Sequence, residues 1–235
     1  MAVMKKILYF LLFSLSLCAH EKTYVESDEA HYDGAKIILE GNVFVKNGMG
    51  TIHADKATLI RDETGQTSID FPWVELSDHV ILTLTEGGYL SCAFLFLDHP
   101  QLTAHFQGAP LVTYIDTCGE VSAEHVQIDY IQKEQKVTPV KITLTGSVCL
   151  SRMDENEQYA LAEKVEYFPE HERMIFTGTK ERVLFFDKKR DIQLSAFSVI
   201  AEKNPETKRE SVRGVGDVRF VLGQEELIQL KERFH

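Results

Sequence analysis

Residues 27–62 read Ser27-Asp28-Glu29-Ala30-His31-Tyr32-Asp33-Gly34-Ala35-Lys36-Ile37-Ile38-Leu39-Glu40-Gly41-Asn42-Val43-Phe44-Val45-Lys46-Asn47-Gly48-Met49-Gly50-Thr51-Ile52-His53-Ala54-Asp55-Lys56-Ala57-Thr58-Leu59-Ile60-Arg61-Asp62. Apolar residues alternate with polar ones from Lys36 to Lys46, the period of a half-buried strand. Asp33-Gly34 and Asn47-Gly48 are turn dipeptides on either side of it. A second alternating run, Thr51 to Ala57, follows. A Gly interrupts the first strand at Leu39-Glu40-Gly41-Asn42-Val43, and a small residue followed by an acid interrupts the second at Ala54-Asp55.

The same two elements recur down the chain. Ile52-His53-Ala54-Asp55-Lys56-Ala57 is echoed at Leu90-Ser91-Cys92-Ala93, Val121-Ser122-Ala123-Glu124, Leu161-Ala162-Glu163-Lys164 and Leu194-Ser195-Ala196-Phe197. The small residues Ala54, Cys92, Ala123, Ala162 and Ala196 are separated by 38, 31, 39 and 34 residues. The Gly-containing strand returns at Leu144-Thr145-Gly146-Ser147-Val148, Phe176-Thr177-Gly178-Thr179-Lys180 and Gly214-Val215-Gly216-Asp217-Val218. Leu76-Ser77-Asp78-His79-Val80 is the same element without its Gly. A unit of about two strands cannot bury its own apolar face, so the units must stack.

Short strands separated by turn signals, with no helical pattern between them, predict an all-β chain. The expected fold is an antiparallel two-sheet roll built from degenerate strand repeats. Turns are expected at Gln107-Gly108 and Cys118-Gly119, among others. The small residues would sit where strands turn a corner, and the Gly would allow a bend. Only residues 223–235 show a helical period, through Leu227, Leu230 and Phe234; a final strand fits that stretch as well.

The chain has 235 residues, 44% of them hydrophobic, and a formal net charge of -11. Such a chain buries a core. Its field repels phosphate backbones, which argues against nucleic-acid binding. Lys5-Lys6, the apolar run Ile7 to Leu17 and the small residue Ala19 make a signal peptide with cleavage after residue 19. The run is short for a membrane span. This assigns residues 1–19 to the signal and 20–235 to one β domain in an exported compartment. Leu15-Ser16-Leu17-Cys18 also reads as a degraded lipoprotein box, and retention as an uncleaved anchor is a third outcome. Cys92, Cys118 and Cys149 leave one disulfide or none.

The search for chemistry is empty. No HExxH, zinc-spaced Cys/His set, GxSxG or phosphate loop occurs. His53 and Asp55 share a strand face at i, i+2 and read as a solvated pair. Cys118 precedes Gly119 in a turn, the place of an ordinary loop thiol. Trp73 reads as a core aromatic. No cofactor, metal or enzymatic activity is expected.

The quoted stretch resembles the OstA/LptA family of periplasmic lipopolysaccharide-transport proteins. Ser27-Asp28-Glu29-Ala30-His31-Tyr32-Asp33, Ile38-Leu39-Glu40-Gly41-Asn42-Val43 and Ile52-His53-Ala54-Asp55-Lys56-Ala57 are similar to the family's A-D-x-A-x-Y-D, L-x-G-N-V and L-x-A-D-x-A signature. Ser27 and Ile52 depart from it. The match is partial from Val121 to Leu222 and poor from Gly65 to Thr117. The resemblance implies a β-jellyroll with an open V-shaped apolar groove. The groove would shield the acyl chains of lipopolysaccharide or lipooligosaccharide. Edge-strand pairing would join like β-jellyroll domains of inner- and outer-membrane components, or copies of the chain as a homo-oligomer, in the periplasm. The candidate groove residues are Ile37, Leu39, Val43, Val45, Ile52, Ile142, Leu144, Val148, Leu161, Val165, Ile175, Val183, Phe185, Leu194 and Val199. The rival is an envelope roll with a filled core, since alternating strands usually form ordinary core. A sibling role as the inner-membrane-anchored component is the other alternative.

Overall fold

In a computed structural model, the structure describes residues 23–47, 50–62, 71–85, 87–133, 136–152, 157–189, 191–204, 206, 207 and 209–221. The signal peptide expected at 1–19 and the helix or strand expected at 223–235 lie outside these residues. Among the described residues there are sixteen strands and no helix.

The strands are β1 (Tyr24–Glu26), β2 (Glu29–Tyr32), β3 (Lys36–Asn47), β4 (Gly50–Ile60), β5 (Trp73–Leu84), β6 (Tyr89–Asp98), β7 (Thr103–Asp116) and β8 (Gly119–Lys133). They continue as β9 (Lys136–Arg152), β10 (Gln158–Phe168), β11 (Arg173–Thr177), β12 (Val183–Asp187), β13 (Ile192–Ala196), β14 (Ser198–Lys203), β15 (Glu210–Val215) and β16 (Arg219–Val221). All observed pairings are antiparallel; β2 to β11 follow one another as a meander, while β1 pairs with β3, β12 with β10, β14 with β11 and β16 with β13. The all-β antiparallel expectation therefore holds.

The long strands share a bend at one level, and β8 has a second irregularity between Asp129 and Tyr130. The register slips between Glu40 and Val43 in β3, His53 and Lys56 in β4, Ser77 and Val80 in β5, and Ser122 and His125 in β8. At the ends of the meander the bend becomes a break. β1 and β2 pair with the two halves of β3, while β11 and β12 pair with the two halves of β10. The bends align into a corner that divides the sheet into two walls. Hydrogen bonds run through this corner, so the two walls are one folded sheet. The sheet does not close on itself, because β1–β2 and β15–β16 end the order on opposite sides.

A repeated polar contact makes the corner. Gly41 and Asn42 are left-handed, with φ of 73° and 47°, as are Gly146 and Ser147 at 75° and 48°. Gly is the residue that adopts this conformation at least cost. An acid on the adjacent strand, or for Asp28 in the break between β1 and β2, holds the residues at the bend. Asn42 donates to Asp28 at 2.8 Å and Ser147 to Glu124 at 3.0 Å. His79 Nδ1 lies 2.7 Å from Asp55. Glu163 accepts from the backbone N–H groups of Thr179, Lys180 and Glu181 at 3.0, 2.6 and 2.7 Å, and from the Thr179 hydroxyl. Two small residues of the sequence repeat are buried just before these acids, Ala54 before Asp55 and Ala123 before Glu124, and Ala162 before Glu163 is partly buried.

β7 departs from the pattern. Gln107 pairs with His125 and Val112 with Ala123, so the four residues Gly108 to Leu111 stand against Glu124 alone, an excess of three at the corner. The turn expected at Gln107-Gly108 is this excursion within one strand. Its neighbour β6 has Ala93 where the repeats at Ala54, Ala123 and Ala162 have an acid, and no left-handed pair stands at the corner of β7.

Candidate functional site

The ladder of inward-facing residues explains where the interior is open. In the first wall the register runs Ala30–Leu39–Ala57–Leu76–Leu95–Phe106 and Tyr32–Ile37–Leu59–Val74–Leu97. In the second it runs Val25–Val45–Ile52–Leu82–Leu90–Tyr114. Near the N-terminal edge these residues are small or aliphatic, apart from the exposed Tyr32 at the end of its ladder. Facing walls of a sheet stack are about 10 Å apart, a gap that Ala cannot fill. A cleft of about 1030 Å³ results. Val25, Val45 and Ile52 line it from one wall, and Ala30, Ile37, Leu39, Ala57, Leu59, Val74 and Leu76 from the other. Phe71 lies in the connection before β5 and also lines it. Thr23, Glu26, Ser27, Asp28 and Asn42 form its polar border.

From β7 onward, aromatic residues occupy the interior. Phe106, Tyr114, Tyr130, Tyr167, Phe176 and Phe185 are at most 6% exposed. Phe176 of the first wall meets Phe185 of the second edge to face, with ring centroids 6.5 Å apart. A void of only about 50 Å³ remains there, beside Val121, Leu150 and Ala160. Burial raises the Tyr167 hydroxyl to about 12, with a smaller push from Glu172.

The fifteen candidate residues therefore fall into three groups. Ile37, Leu39, Val45 and Ile52 line the cleft. Val43, Ile142, Leu144, Val148, Val165, Val183, Phe185, Leu194 and Val199 face the interior but are packed within it. Leu161 and Ile175 belong on the outer face. Leu161 pairs with Cys149 and Leu184, one step out of phase with the buried Ala160. Ile175 pairs with Glu166 and Ile200, between the buried Met174 and Phe176. An alternating strand with apolar residues on both faces does not reveal its phase. The sequence reading missed Val25, Ala30, Ala57, Leu59, Phe71, Val74 and Leu76. The same alternation carried one strand further in each direction finds most of them.

His53 and Asp55 do not act together. The His53 ring lies 4.8 Å from that of Phe44, while Asp55 holds His79. Cys92, Cys118 and Cys149 are free thiols. Burial raises Cys149 to about 11 and Cys92 to about 12, above the range of a reactive thiolate.

Residues 24–90 match the profile of the family described as "LptA/(LptD N-terminal domain) LPS transport protein". Over this stretch the chain is LptA-like. The match extends past Gly65, where the family motifs are poor, to the start of β6. The LptA-like segment is also the part of the fold that builds the cleft. No curated protein matches the chain. Among solved structures, one similar chain is the crystal structure of LptH, "the LptA homologous periplasmic component of the conserved lipopolysaccharide transport device from Pseudomonas aeruginosa". It is 10% identical, the alignment covers 88% of this chain and 99% of that one, and the TM-score is 0.25. A superposition this loose carries no argument about function.

Proposed function

We propose that this protein is a periplasmic lipopolysaccharide-transport component that shelters acyl chains in its N-terminal cleft. One observation carries the reading: the LptA-like segment, residues 24–90, supplies nearly all of the lining of the apolar cleft. The cleft volume is at the upper end of the roughly 300–1,000 Å³ of typical ligand pockets. Each methylene transferred from water into it contributes about 0.8 kcal/mol. Acyl chains would be held only in the N-terminal third, because aromatic side chains fill the rest. Binding and release along such a surface involve no covalent step.

Assembly by strand pairing is the second half of the proposal. β1 and β2 end the sheet on one side and β15 and β16 on the other. Edges of this kind accept a strand from a like domain, whether of a membrane-anchored component or of a second copy.

Site-specific photo-crosslinking in cells tests the first half. Crosslinkers at Leu39, Val45 and Ile52 should capture lipopolysaccharide, and one at the outward Phe94 should not. Capture at Phe94 alone would sink the cleft reading and favour a filled structural roll. For the second half, Tyr32→Pro removes a backbone donor that β2 turns to its free side, since the neighbouring Asp33 N–H is the one that reaches across to Lys36 in β3. If the size of the assembly is unchanged, pairing does not run through that edge.

A further inference from the structure

The outer face of the sheet carries a feature that the proposed function does not use. Two neighbouring outward rungs cross β6 to β9. One is Phe94–Gln107–His125–Thr145, and the next is Phe96–His105–Gln127–Thr143. Neither contains an Asp, Glu, Lys or Arg, although 26% of the chain is charged. Charge stands around them instead. Glu75 pairs with Phe96, Lys164 with Thr145 and Glu166 with Thr143, while Asp129 and Lys141 make a flanking rung. A depression of about 360 Å³ lies over this uncharged island, within the size range of small-ligand sites.

The island is partly fixed in place. The His105 ring stacks on Phe96, with centroids 6.5 Å apart and planes 24° from parallel. Gln127 donates to Asp129 at 2.8 Å, which orients its amide and leaves the amide carbonyl as an acceptor. Phe94 and Phe96 are half-buried, whereas His105, Gln107, His125 and Gln127 are exposed. The excursion of β7 starts directly after Gln107 and closes at its base. A Cβ on Gly108 would meet the Leu111 carbonyl carbon at 2.0 Å.

We infer that this depression binds a neutral, β-linked saccharide chain. A sugar ring has an apolar C–H face, which the Phe94 ring covers on the β6 side. Its hydroxyls donate and accept at once, and the amides, imidazoles and hydroxyls of β7 to β9 do the same. The two rungs themselves offer no carboxylate, ammonium or guanidinium for a charged ligand to pair with. β-Linked chains are flat ribbons, and four neighbouring strands span about 14 Å, the length of a short oligosaccharide. The lipid cleft opens on the inner face of β1 to β5, across the sheet from this site. The saccharide bound here therefore belongs to a second molecule.

The test is an NMR titration of the isotope-labelled protein with cellotriose and chitotriose, two neutral β-linked trisaccharides, and with trigalacturonate as an anionic control. At least one neutral trisaccharide should shift the Gln107 and Gln127 side-chain amides and the backbone amides of both rungs, with a dissociation constant of about 1 mM. Trigalacturonate should not. Gln127→Ala, at an exposed position, should weaken binding about fivefold without changing the melting temperature. Phe94→Ala should weaken it at least as much. Ala30→Leu, in the cleft, should leave it unchanged. No shift with either neutral trisaccharide, shifts confined to other surfaces, an equal response to trigalacturonate, or full binding by Gln127→Ala overturns the inference. None of these outcomes bears on the cleft, so the proposed function stands or falls separately.

Discussion

The hydroxyl of Ser147 donates to Glu124 across 3.0 Å, joining β9 to β8 at the corner of the roll. The preceding Gly146 has φ of 75°, and a Cβ built there would meet the Glu124 carboxyl at 2.5 Å. Gly146→Ala therefore adds a close contact to left-handed strain. It should destabilise the fold by about 1–3 kcal/mol in urea unfolding. Gly34→Ala, also at positive φ but with nothing within 4 Å, supplies the strain without the contact. The first variant should lose more than the second. Equal losses would show that the acid simply moves aside.

The same contact on the next unit gives a pH dependence. Glu163 is held at about 2, below its ordinary 4.5, chiefly by the Thr179 hydroxyl and then by backbone N–H donors. A depressed carboxyl stabilises the fold fully above its unfolded value and loses that contribution as pH falls toward the folded one. Thermal melts should therefore show wild type losing stability between pH 4.5 and 2 more steeply than Glu163→Gln. Parallel curves for the two proteins would show that the Glu163 carboxylate adds nothing to stability through these hydrogen bonds.

At β5 the corner pair is Asp78-His79, with φ of 61° and 51°. Asp55 raises the His79 pKa above 6.5, mainly through their hydrogen bond. A raised histidine stabilises fully below its unfolded pKa, and the effect fades as pH climbs through the folded value. His79→Asn keeps a residue tolerant of left-handed backbone but removes the titration. The variant should be less stable than wild type at pH 5.5, and the difference should shrink by pH 8.5. A constant difference would assign the effect to backbone conformation alone.

These contacts also show what the sequence disclosed. The alternation from Lys36 to Lys46 lies within β3, and the repeated small residue followed by an acid marks the corner. The job of the acid was hidden, because Asp28 and Asn42 are 14 residues apart and Glu124 and Ser147 are 23 apart. Phase was lost at Leu161 and Ile175, where both faces of a strand carry apolar residues. The extent of the cleft was equally illegible. It depends on which side chains oppose each other across the walls, and Phe176 meets Phe185 only after the corner folds the sheet.

The last prediction separates open interior from packed interior by placing the same substitution in each. Ala30 and Ala104 both begin or continue inward ladders of the first wall. Ala30 is exposed at the cleft, whereas Ala104 is 0% exposed between Leu97 and Ile128. Ala30→Leu places a larger side chain into empty space, so stability should stay within about 0.5 kcal/mol of wild type. It occupies volume that an acyl chain would use, so lipid capture by a crosslinker at Leu39 should fall. Ala104→Leu has no space to enter and should cost about 1–3 kcal/mol. Its effect on capture, measured under conditions where it remains folded, should be small, because Ala104 lies beyond the cleft. If Ala104→Leu is tolerated as well as Ala30→Leu, the interior past β6 is looser than its aromatic packing implies. If Ala30→Leu leaves capture unchanged, acyl chains do not reach the N-terminal end of the cleft.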